Sequence, residues 1–221
     1  MASNPFSVPF ERLPAELPIF PLSNAIVMPG CQLPLNIFEP RYLNMVFDAL
    51  GAERIIGMVQ PDSLDAEEGE EQVYKIGTAG RIISYNETQD GRLLIVLAGV
   101  CRFDIQEELP PLRGYRRVLP DWNRFRRDFD NPVDNGNPAR VRLMALLREY
   151  FQRKGFETNW SNLEQVPVAL LVNVLTGQLP FNAPERQALV ETVTPEERID
   201  KLIHLLEFDV VGFAMTDSRQ H

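Results

Sequence analysis

Polar and apolar positions alternate with a period of two through the first half of the chain and follow a helical period through the second. Leu17–Phe20 is a short strand run, followed by a turn over Pro21–Asn24 and a second turn at Met28-Pro29-Gly30. Over 32–38, Leu33, Leu35 and Ile37 alternate with Gln32, Pro34 and Asn36, which predicts a half-buried strand. Pro34 falls on the outer set and has no N–H, so the strand belongs at a sheet edge or a bulge. Pro40 then opens a helix at its favoured first position, with Tyr42, Met45, Val46 and Ala49 as the buried stripe and Gly51 as the stop. Glu39 is placed to cap that helix and to pair with Arg41. Arg54–Val59 reads as a buried strand.

Residues 74–89 and 92–99 form the clearest strand pair, joined by the two-residue hairpin signal Asp90-Gly91. Gly77 and Gly80 predict bulges, Gly99 predicts a kink into a further strand from Cys101, and Tyr115–Leu119 reads as a last strand. Residues 121–137 are rich in Asn and Asp and read as a linker. Beyond it the pattern is helical. Pro138 follows the N-cap candidate Asn137, and Leu143, Leu147, Tyr150 and Phe151 form an apolar face as far as Gly155. Pro167 opens an almost wholly apolar helix, Asn182 to Glu185 a third, and Thr194-Pro195-Glu196-Glu197 a fourth with a capping box. The expected fold class is therefore α+β: a curled, partly closed β-domain (pseudobarrel) with one helix, then a bundle of about four helices. The expected boundaries are a flexible 1–15, a β-domain at 16–120, a linker at 121–137, a bundle at 138–215 and a tail at 216–221.

Composition narrows the function. The 221 residues are 44% hydrophobic and 24% charged, as in ordinary globular proteins. The net charge of −9 disfavours DNA, anionic lipid and, more weakly, RNA as partners. Six arginines lie between Arg113 and Arg127 beside Trp122 and Phe125, an RNA-compatible pattern that is also met if they pair with the chain's acids. Asp62–Glu71 holds six acids without calcium-loop spacing and reads as a solvated loop. No leader and no apolar run of roughly 18 residues is present, so a cytoplasmic, non-membrane setting is expected.

Catalytic signatures are missing. There is no Gly-Lys phosphate loop, no nucleophile elbow, and no metal-binding Cys/His cluster. The three lysines, Lys75, Lys154 and Lys201, occupy polar settings, and His204 is the one internal histidine. Cys31 and Cys101 read as inert thiols, with a redox pair as the alternative. No catalytic residue, cofactor or metal is expected.

The motifs together carry a resemblance. Leu17-Pro18-Ile19-Phe20-Pro21-Leu22, Met28-Pro29 and Phe38-Glu39-Pro40-Arg41-Tyr42 resemble the opening of the N-terminal, substrate-binding domain of Lon proteases. Ile56–Val59, Tyr74–Ile82 and Arg92–Phe103 resemble its later strands. Leu179-Pro180 through Glu197-Arg198 and Leu202 resemble its helical part, and the likeness spans about 16–208. The resemblance implies a PUA-like β-domain followed by helices. It transfers neither the Walker lysine nor the Ser–Lys pair of full-length Lon proteases, which have no matching positions. It therefore implies a free-standing, non-catalytic module that binds unfolded or extended protein segments, with a protease or chaperone as a partner and a role in protein quality control. A small-molecule site between β-domain and bundle, as a ligand sensor or enzyme, is the alternative, and RNA binding a further one. The expected peptide-binding patch comprises Met28, Leu33, Leu35, Glu39, Arg41 and Tyr42.

Overall fold

The structure, a computed structural model, describes residues 8–23, 25–62, 72–130 and 138–217, with side chains described as far as Val210. The expectations for residues 1–7, the acidic run 63–71, Asn137 and the last four residues lie outside the described residues. The chain divides into two compact units, 1–130 and 131–221.

The first unit is built on six strands: β1 (Leu17–Pro21), β2 (Gln32–Ile37), β3 (Ile55–Val59), β4 (Ile76–Glu87), β5 (Leu93–Leu112) and β6 (Tyr115–Asp121). Their order is β2-β5-β4-β3-β1-β6, and β6 returns to pair with β5, so five strands close a ring with β2 attached outside it. The long β5 makes this closure possible. Its first half pairs with β2 (Leu33↔Leu97), and its second half with β6 (Glu108↔Val118). No second strand pairs with β2 among the described residues, so Pro34, opposite Val96, sits on a free edge as its missing N–H requires.

Curvature comes from bulges. The β4–β5 register slips between Ala79 and Gly80, leaving Val100 as the extra residue beside Gly99. Gly99 does not end the strand, as its sequence position suggests. It accommodates the backbone of Met28, whose carbonyl oxygen would lie 2.1 Å from a Cβ at that position. The β4–β5 connection is also longer than the Asp90-Gly91 signal implies. Pairing stops at Glu87↔Leu93, and Thr88 closes the loop by exchanging bonds with Arg92.

Helix α1 (Pro40–Leu50) buries Tyr42, Met45, Val46 and Ala49 against Phe20, Ile37, Ile56, Met58, Ile82, Leu93, Ile95 and Leu97. A second cluster joins Leu17, Ile19, Ile55, Val59, Ala79, Phe103 and Val118.

Two boundary expectations change. Residues 121–130 are not a linker. After β6 they form a 3₁₀ helix, Asn123–Phe129, whose Phe125 is fully buried. Arg102, 1% exposed, lies 4.3 Å from the Phe125 ring centroid and forms an ion pair with Asp128 at 2.6 Å. The N-terminal stretch is likewise packed from its described start. Phe10 meets Phe129 edge-on at 5.6 Å, and Trp122 Nε1 donates to the Pro14 carbonyl at 3.1 Å. Alternation and turn residues do not reveal either contact, because both depend on partners about a hundred residues apart.

The second unit has helices α2 (Pro138–Lys154), α3 (Trp160–Gln165), α4 (Val168–Gln178), α5 (Ala183–Val190) and α6 (Pro195–Asp217), one more than the periodicity indicates. Leu143, Leu147, Tyr150, Leu171, Val172, Leu175, Leu189, Ile199, Leu202, Ile203 and Leu206 share one core. Gly155 ends α2 at φ 70°, with the Phe156 amide donating back to Phe151 O at 2.9 Å. The expected capping box of α6 forms, and α5 has one as well. Asn182 and Glu185 exchange bonds of 2.9 and 3.0 Å, and Thr194 and Glu197 exchange two of 3.2 Å. His204 is exposed on α6.

Candidate functional site

The six residues expected to form an exposed patch do not do so. Met28 is 1% and Tyr42 8% exposed. Met28 is drawn inward because its backbone lies against Gly99. Tyr42 belongs to the apolar stripe of α1 and packs against Phe20, the rings tilted by 38° with centroids 4.1 Å apart. Leu33 and Leu35 are half-buried against the same core. Glu39 occupies the N-cap position without capping. Its carboxylate instead accepts from Arg41 Nε at 3.0 Å and pairs with the guanidinium at 2.9 Å. Large apolar side chains that reach solvent near here include Phe38 (59%) and Phe47 (49%), which stand off the alternation and off the helical stripe.

Arg41 and Tyr42 nevertheless reach a cavity of about 510 Å³ within the β-unit. Its other walls are Pro21 at the end of β1, Gln72, Val73 and Lys75 before β4, Glu108 and Pro111 of β5, and Gly114, Tyr115 and Arg116 at the start of β6. The β5–β6 hairpin forms much of this cleft, and sequence reasoning missed it. Leu112 pairs with Tyr115 across Arg113 and Gly114, which stand at φ 49° and 90°. Two successive positive φ values make the tight turn that suits strand twist. The dipeptide Arg113-Gly114 before Tyr115 was the one local signal of this turn.

That turn is locked to α1. Asn44 Nδ2 donates to the Arg113 carbonyl at 3.1 Å, and Arg113 Nη2 donates to Asn44 Oδ1 at 2.7 Å. Arg113 also pairs with Asp48, whose other oxygen accepts from the Tyr115 hydroxyl at 3.0 Å. Gly114 thereby lies so near the helix that a Cβ would come 3.2 Å from that of Arg41. On the facing wall Arg116 grips Glu108 through two bonds of 2.5 and 2.7 Å.

Burial first, and then donation to Asp48, push Tyr115 up to about 12, so its phenol stays protonated at neutral pH. Of the six arginines in 113–127, five pair with carboxylates: Arg113 with Asp48, Arg116 with Glu108, Arg117 with Glu16, Arg124 with Asp104 and Arg126 with Glu11. Cys31 and Cys101 are free thiols, and burial pushes the Cys101 thiol far above its ordinary value. No group of three metal-ligating acids, histidines or cysteines occurs among the described residues. No helix among them is long and apolar enough to cross a membrane.

The architecture is thus an α+β fold: a bulged, closed β-unit with one helix packed on it, followed by a helical unit. Solved structures share it. A Lon N-terminal domain protein from Xanthomonas campestris superposes with TM-score 0.62 at 23% identity, covering 86% of this chain and 97% of that one. The N-terminal domain of a Mycobacterium avium complex Lon protease gives 0.62 at 19% identity, covering 87% and 98%.

The family model described as ATP-dependent protease La (LON) substrate-binding domain matches residues 16–207, and the chain belongs to that family. The Lon protease of Flavobacterium johnsoniae is 35% identical over 196 residues, which is 85% of this chain and 23% of that protein. That of Dictyoglomus thermophilum is 24% identical over 218 residues, 92% and 26% respectively. The chain spans about a quarter of the length of the curated relatives it matches.

Proposed function

We propose that this protein is a non-catalytic recognition module that binds unfolded or extended protein segments in the service of proteolysis. The supporting observation is the match of the substrate-binding family model over 16–207, which takes in both described units and neither an ATPase nor a protease domain. The cleft between the β5–β6 hairpin and the start of α1 offers the binding place. Tyr42, Pro21, Val73 and Pro111 give it apolar surface, while Arg41, Arg116 and Glu108 supply polar partners. The clamp through Asn44, Asp48 and Arg113 holds both walls before a ligand arrives, which lowers the ordering cost of binding. Delivery to a protease or chaperone is the adaptor role this reading includes. Free thiols suit a reducing, cytoplasmic setting.

Photocrosslinking tests the site. A benzophenone side chain replacing Pro111 should capture an unfolded protein such as reduced, alkylated lactalbumin. The same group at exposed Val141 of the helical unit should not. Equal capture at both positions, or none at Pro111, contradicts the assignment.

A further inference from the structure

The cleft differs in charge from the rest of the molecule. The whole chain carries −9, yet the residues lining this cavity include three cations, Arg41, Lys75 and Arg116, against one carboxylate, Glu108. Lys75 is exposed, and no carboxylate among the described residues pairs with it. Arg41 is set 4.7 Å from the Tyr42 ring centroid and paired with Glu39, so its guanidinium is held in place at the rim. In the Arg116–Glu108 pair the guanidinium is largely buried, while the Glu108 carboxylate is exposed at the cleft. An entering carboxylate meets this guanidinium from the exposed Glu108 side and competes with Glu108 for it. With Arg41 paired to Glu39 and Arg116 to Glu108, Lys75 carries the unbalanced positive charge of the recess, and on an acidic protein such a group draws anions towards itself, which favours encounter and register. Apolar Pro21, Val73 and Pro111 beside these charges suit a polypeptide better than a bare ion.

We infer that the cleft selects acidic extended protein segments, with Lys75, Arg41 and Arg116 receiving their carboxylates. This rests on the peptide-binding reading above and specifies its substrate class. Binding of unfolded segments in general requires no preference for one charge. This one demands a charge preference that can be switched at single residues.

The test uses the full chain and labelled peptides of equal length and equal apolar content, whose remaining positions are acidic, amide or basic. Fluorescence anisotropy should rank acidic above amide above basic, with about tenfold between the first two at low salt, shrinking as salt rises. Lys75→Glu should abolish the preference, and Glu108→Gln should tighten the acidic peptide severalfold. Opposite signs from two exposed substitutions exclude a general loss of folding as the cause. If amide and acidic peptides bind alike, or Lys75→Glu leaves the ranking intact, the charge selectivity is wrong while peptide binding stands. If no peptide binds, both fail. An oligothymidylate of matched charge that binds as tightly as the acidic peptide would overturn the assignment to protein segments.

Discussion

Arg102 is 1% exposed and carries a full charge among Phe103, Phe125 and the β5 backbone. Asp128 answers it three times. It accepts from the Arg102 amide at 2.9 Å, from Nε at 3.0 Å and from Nη2 at 2.6 Å. Removing one partner of a buried pair leaves an uncompensated charge and costs about 3–5 kcal/mol. Asp128→Ala should therefore lower the denaturant midpoint strongly and release the Asn123–Phe129 segment, which increased protease cleavage there would register. A near-neutral effect would show that the segment is held by Phe125 alone. Cys101 and Phe103 alternate with Arg102 along β5 and are fully buried, but the role of Arg102 depends on a residue 26 positions away and leaves no periodic trace. Tyr115 offers a pH signature. Its folded value is raised to about 12 from an ordinary 10.0, so the unfolded chain ionises first. The stabilisation is complete below pH ~10 and is lost as pH rises from ~10 towards ~12. Alkaline unfolding curves of Tyr115→Phe should fall less steeply over that window than those of the wild type, and parallel curves would deny the buried hydroxyl its role.

At the scale of elements, legibility follows the range of the forces. The stripe of α1, the alternation of β2 and the capping box of α6 are local, and each stands where its residues indicate. Elements set by distant partners were not legible. Trp160–Gln165 is too short to show a helical period. The β5–β6 hairpin was hidden because Leu109–Leu112 contains two prolines within a strand whose pairing slips. The candidate site inherits the same limit. Arg41 and Tyr42 were visible as a helix start, whereas Lys75, Glu108 and Arg116 reach them only through closure of the ring. The α6 cap gives a local test. Thr194→Ala removes the acceptor for the Glu197 amide and should cost about 1 kcal/mol, read as a shift in thermal midpoint. No shift would mean that packing of Ile199, Leu202 and Ile203 alone sets the helix start.

Across the whole molecule, each of the two units has its own apolar core, in keeping with the composition expected of a chain this long. The first unit supplies the cleft with its clamped wall, and the family relationship supplies the reason to look there for protein segments. Binding without turnover is the corresponding expectation: the purified chain incubated with ATP and casein should hydrolyse neither above a heat-inactivated control. The most direct measurement is a titration of isotopically labelled full-length protein with an unfolded peptide, followed by backbone amide shifts. The account predicts saturable shifts, on the order of micromolar to millimolar Kd, that cluster at Arg41, Tyr42, Val73, Lys75 and Gly114–Arg116. Shifts confined to α2–α6 or to the free edge of β2, or no shifts at all, would contradict it.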